Sequence, residues 1–141
     1  MTNVVTMQDI KETMTAKKEK LEAIYALTTR QDQLIQDLDV EGLMDNLNAR
    51  QRHIDTVDNL EKSLPDRRTL LMNHECAQLA VEINAVVEKI LKLDALNQQK
   101  ARDCLAFLKG QTQKASQGRR VAEYDTGPPA DADGIFFNFT Y

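Results

Sequence analysis

The sequence predicts an all-α fold: an antiparallel three-helix bundle of long, coiled-coil-like helices, followed by a flexible C-terminal tail. Three observations predict it. Apolar residues recur at steps of three and four through most of the chain before Gly118, the period of a single helical face. Helix breakers are scarce there, with Gly42 and Pro65 falling where one stripe gives way to the next. Near Gly118 the composition changes to Tyr124-Asp-Thr-Gly-Pro-Pro-Ala-Asp-Ala-Asp-Gly134, and three of the four Phe lie in the last seven of 141 residues. Residues 1–118 are expected to form the bundle and 119–141 the tail.

The first stripe, Met7, Ile10, Met14, Lys17, Leu21, Ile24, Thr28, Gln31, Ile35 and Leu38, predicts a helix over about 6–37. Asp39-Val-Glu-Gly42 then offers a capping aspartate and a helix-weakening glycine. The second stripe runs Leu43, Leu47, Arg50, Ile54, Val57, Leu60 or Glu61, and Leu64, for a helix over 40–64 that Pro65 stops. So short a connection implies an antiparallel hairpin. Cys76, Leu79, Ile83, Val86, Ile90 and Leu93 begin a third helix, over about 73–117. Asn97 and Lys100 interrupt that row, which resumes on a shifted one with Ala101, Cys104, Leu105, Phe107 and Leu108.

Lengths then become informative. At 1.5 Å per residue the three helices span roughly 48, 36 and 67 Å. The third outruns the hairpin that should cover it, leaving Ala101, Leu105, Phe107 and Leu108 as candidate partner-binding residues. Burying one such side chain is worth about 1.5–3 kcal/mol. A client protein, a second copy of the chain in a homodimer, or the first helix running alongside are the three ways to cover them.

Composition narrows the function. Apolar residues make up 42% and charged residues 28%, with a formal net charge of −4. That balance argues against nucleic acid and anionic membranes, which need a basic face. The cluster Lys114, Arg119, Arg120 is too small for a nucleic-acid site and suits a helix C-terminus. No apolar run approaches the ~18 residues of a membrane span, so stable membrane insertion is not expected. The start lacks a basic n-region and an apolar h-region; a cytoplasmic location is expected. Cys76 and Cys104 on one helix would stand ~42 Å apart, too far for a disulfide within a chain, and are expected to be small buried residues.

Catalytic motifs are missing. The chain has no phosphate-cradling glycine loop, Cys-x-x-Cys pair or His-Glu-x-x-His zinc motif. His53 and His74 lie on different helices and suit surface imidazoles better than ligands or phosphoacceptors. No enzyme activity, metal or cofactor is expected. In the tail, Ile135, Phe137, Phe139 and Tyr141 alternate with Phe136, Asn138 and Thr140, a period of two that puts one apolar face on an extended strand. Such a strand is expected to dock on another protein, to fold back on the bundle, or to be a disordered, aggregation-prone end.

Taken in order, these segments resemble the flagellar type III export chaperones of the FlgN/FliT class, with FlgN the nearer. The resemblance rests on Leu43-Met-Asp-Asn-Leu-Asn-Ala-Arg-Gln-Arg-His-Ile-Asp-Thr-Val-Asp-Asn-Leu60, with its arginine-glutamine pair and isoleucine-aspartate step. It continues in Ile90-Leu-Lys-Leu-Asp-Ala-Leu-Asn97, Gln117-Gly-Arg-Arg120, Tyr124 and the hydrophobic end. It implies a three-helix chaperone without ATPase activity, which keeps hook–filament junction or cap proteins soluble and delivers them to the export gate. It also implies client binding around Leu105 and Leu108, and gate docking at Tyr124. The ending Phe-Asn-Phe-Thr-Tyr departs from the aspartate-then-lysine ending of many members. A structural coiled-coil adaptor that self-associates through its third helix is the competing expectation.

Overall fold

The computed structural model describes residues 5–115, and among these every regular element is a helix. Helix α1 spans Met7–Gln36, α2 Val40–Lys62, α3 Arg67–Leu71 and α4 His74–Ala115. The helix ends within the described residues fall within two residues of the expected ones, and the expected end of the third helix near 117 lies outside them. The tail expected over 119–141 lies outside the described residues.

Local chemistry sets the ends. Thr6 caps α1 through its hydroxyl, which accepts from the Asp9 N–H at 3.1 Å, while the Thr6 N–H donates back to Asp9 Oδ2 at 3.0 Å. This reciprocal pair satisfies two amides that the first turn leaves open. Asp39 caps α2 by accepting from the Gly42 N–H at 2.8 Å. A Cβ at Gly42 would collide with that carboxylate, so the glycine is there for the cap. The turn between α1 and α2 closes with the Asp39 N–H on Leu34 O and the Leu38 N–H on Ile35 O, the Schellman arrangement that usually places glycine in the left-handed position. Here that residue is Leu38, at φ 55. Pro65 disfavours helical backbone at Leu64, which ends α2 at Lys62 rather than at 64. The added helix α3 starts at once, because Asp66 accepts from the Thr69 N–H at 2.8 Å.

Helix α1 packs broadly against both α2 and α4, and α3 against α4. Cross-links give the directions. Lys17 pairs with Glu61 and Gln31 with Asn46, so α1 and α2 run in opposite senses. Lys11 pairs with Glu75, Lys18 with Glu82 and Lys100 with Asp32, so α1 and α4 run in the same sense.

The core has two parts. Ile10, Met14, Leu21, Ile24, Ile54, Val57, Cys76, Ile83, Val87 and Ile90 form a buried apolar cluster toward the start of α4. Above it lies a polar belt. Arg50 holds Asp94 through two parallel hydrogen bonds of 2.6 Å, both side chains being buried. Next to this pair, Gln31 Nε2 donates to Asn46 Oδ1 at 3.1 Å, and Asn97 Nδ2 donates to Thr28 O at 2.9 Å. One amide from each long helix thus meets at a single level.

The predicted first stripe is buried without a gap from Ile10 to Ile35, polar members included, but Met7 and Leu38 are exposed. Leu38 leaves the stripe because the turn has already begun there. On α4 the inner row is Cys76, Ile83, Val87, Ile90, Asp94 and Asn97. Asn97 therefore does not interrupt the row, and no shift to a second row follows it. Its amide can stay in the row because α1 supplies its partners, Thr28 O and Gln31 Oε1. Cys104 is half-buried, against the expectation of burial, while Cys76 is fully buried.

Candidate partner-binding site at the end of α4

The register between α1 and α4 locates the site. Lys11 meets Glu75 and Asp32 meets Lys100. Continued at the same offset, the last residue of α1, Gln36, is level with about Cys104, at 1.5 Å of rise per residue. Residues 105–115 then run past α1 by roughly 16 Å. Since α2 begins at the same turn, it covers no more of α4 than α1 does. Helix α4 has 42 residues against 30 and 23 for its companions.

The inner row of α4 continues into this overhang. Asn97, Ala101, Leu105 and Leu108 are spaced four, four and three apart, so they share one face. Asn97 is buried, Ala101 half-buried, and Leu105 and Leu108 are 37% and 40% exposed. Exposure therefore rises along a row that is the core lower down. Phe107, 64% exposed, belongs to another row with Leu96, 56% exposed and eleven residues earlier. The four residues singled out from the sequence thus divide. Ala101, Leu105 and Leu108 extend the core face, and Phe107 lies beside it.

The α1–α2 turn adds residues that the sequence reading did not single out. Leu38, Val40 and Met44 are 51%, 72% and 50% exposed. Because α1 and α4 run in the same sense, this turn sits at the overhanging end of the molecule. Together the parts make a step, with the turn as its floor and the inner face of α4 as its wall. The signal that could have found Leu38 was its place directly before a capping aspartate, which ends α1 one residue sooner.

A polar clamp holds the base of the step. Lys100 Nζ donates to Asp32 Oδ1 at 2.7 Å. That hydrogen bond, followed by one from the Gln36 amide, holds the Asp32 carboxyl below the usual aspartate range. It ties α4 to α1 close to the last point where they run together.

His74 is exposed and His53 half-buried on separate helices, and no cluster of three metal-ligating side chains occurs among the described residues. No described helix is long and apolar enough to cross a membrane. Leu71 and Met72 are also exposed, but they lie in a short connection at the opposite end and extend no buried row. Tyr124, Ile135, Phe137, Phe139 and Tyr141 lie outside the described residues. Comparison with protein-family models, with curated proteins and with solved structures finds no match to this chain.

Proposed function

We propose that the chain is a helical export chaperone of the FlgN/FliT kind, which keeps a late flagellar subunit soluble and delivers it to the type III export gate. The observation that carries the proposal is the overhang of α4. A row that is buried core at Ile90 and Asn97 continues through Ala101 into half-exposed Leu105 and Leu108, with no companion helix alongside among the described residues. An amphipathic client helix laid against that row would complete the bundle, adding about 1.5–3 kcal/mol for each large apolar side chain it fully covers. In this reading α1, α2 and α4 form an up-down-up three-helix bundle whose upper end lacks a member.

The buried belt also supports the reading. The pieces that carried the resemblance, Arg50-Gln51 and Leu93-Asp94-x-x-Asn97, contain the Arg50–Asp94 pair and the Asn97 amide. Their spacing thus has a physical reason, the meeting of three helices at one level. The belt keeps the apolar core below distinct from the receptive end above.

The test is capture of hook–filament junction and cap subunits by the purified chain. Leu105→Asp and Leu108→Asp are expected to abolish capture while far-UV helicity stays unchanged, because each replaces a half-exposed residue outside the core. Capture surviving both changes would sink the assignment. Tyr124→Ala is expected to spare client binding and weaken binding to the export gate; unchanged gate affinity refutes that role. The same exposed row favours one rival, a coiled-coil adaptor pairing with its own copy. Sedimentation of the client-free chain at micromolar concentration separates them, since a tight dimer supports the adaptor and a monomer the chaperone.

A further inference from the structure

We propose that α2 is a lid: it leaves the α1–α4 pair as one cooperative unit, short of global unfolding, and uncovers the lower half of the α4 face. This opening needs no client and stands apart from the chaperone reading. What each helix buries points to it. Among the described residues α1 has six buried apolar side chains and α4 has four, whereas α2 has two, Ile54 and Val57. The other buried residues of α2, Asn46 and Arg50, are polar, and Leu43, Leu47 and Leu60 are half-buried. The hydrophobic effect therefore holds α2 least.

The polar contacts widen that difference. Arg50 and Asp94 join α2 to α4, and Lys17 of α1, only 5% exposed, pairs with Glu61 of α2. Arg50, Asp94 and Lys17 regain water together when α2 departs, which offsets much of what the pairs lose. In the closed form Arg50 Nε finds no acceptor within the protein, though the side chain is buried; departure lets it hydrate. The links between α1 and α4 do not involve α2. Lys11–Glu75, Lys18–Glu82 and Lys100–Asp32 stay in place, as does the bond from Asn97 Nδ2 to Thr28 O.

Both ends of α2 suit such a movement. At one end Leu38 holds a left-handed backbone at φ 55, a strain that opening relieves. At the other, Pro65 separates α2 from α3, which packs on α4 and can remain there. Since α2 and α4 run in opposite senses, the Arg50–Asp94 pair sets Val57 level with about Val87, and Lys62 with about residue 82. With α2 away, Ile83, Val87 and Ile90 would join Ala101, Leu105 and Leu108 in one apolar face roughly 38 Å long. The bland account is fraying, in which protection rises steadily from each helix end to its middle. A lid instead gives one value across its length.

Native-state hydrogen exchange of the full chain in low urea separates the two. Amides from about 46 to 58 should share one opening equilibrium, at least ~10-fold more open than the slowest amides of α1 and α4, with a smaller dependence on urea. Thiol labelling reads the uncovered face. The thiol introduced by Val87→Cys should react through the same opening and ahead of Cys76, which is buried beyond the end of α2. Half-buried Cys104 marks the rate of a thiol that needs no opening. Arg50→Ala should open α2 at least ~100-fold further, because its penalty exists only while Asp94 is covered. Equal opening and equal urea dependence in all three long helices would overturn the proposal, as would protection graded from the ends of α2. So would a residue-87 thiol no faster than Cys76, or α2 exchange unchanged by Arg50→Ala.

Discussion

Leu38 sits at φ 55 with half its surface in water. A leucine in the left-handed region costs about 1–2 kcal/mol, and glycine would relieve most of that at a smaller entropic cost. Leu38→Gly should therefore raise stability by about 0.5–1 kcal/mol, read as a higher urea midpoint. A lower midpoint would show that the side chain stabilises the turn after all. If Leu38 also forms part of the docking floor, the same variant should bind a client less well. Gly42 departs from the ordinary rule. Glycine to alanine inside a helix usually gains about 1 kcal/mol, yet here the new methyl displaces the Asp39 cap, itself worth about 1 kcal/mol. Gly42→Ala should bring no gain. Arg50→Ala would leave Asp94 buried and unpaired, a loss of about 3–5 kcal/mol, while replacing both by Met and Leu should recover most of it. Equal losses in the single and double variants would count against the pair as the source.

Between elements, registry decides how much of α4 its companions cover. The amide layer of Gln31, Asn46 and Asn97 fixes how far α4 slides along α1, and so fixes how many residues of α4 overhang. Polar groups buried at one level specify register, because any other alignment leaves them unpaired. Asn97→Leu should leave helicity intact but loosen that alignment. Hydrogen exchange should then quicken in α4 beyond Asn97 more than around Ile83; uniform quickening would argue against a registry role. The short helix α3 was legible only in part: Pro65 marked the break, but the cap by Asp66 needed backbone geometry to be seen.

Across the whole molecule, acid should act through the links between α1 and α4. Hydrogen bonds from Lys100 and from Lys11 hold Asp32 and Glu75 respectively below their usual values. A carboxylate lowered in the folded state stabilises it above the unfolded pKa and loses that contribution as pH falls through the folded one. Thermal midpoints should therefore drop as pH falls below about 4, and Asp32→Asn should shrink that drop. Both groups face solvent, so the effect is small and should weaken further in salt.

Helix type, number of long helices and their approximate ends were determined by the sequence alone, because a period of three and four depends only on neighbours along the chain. The excess length of α4 was legible for the same reason, since rise per residue is fixed. Its consequence was not. Whether Leu105 and Leu108 are covered depends on which way α1 runs beside α4 and at what offset, and that is decided by pairs some 64 to 69 residues apart, such as Lys11–Glu75 and Thr28–Asn97. The belt was hidden for a related reason. Arg50 already sat on the second stripe, but Asp94 and Asn97 are polar residues without a partner in their own helix, and only the meeting of three helices supplies the partners that let all three be buried.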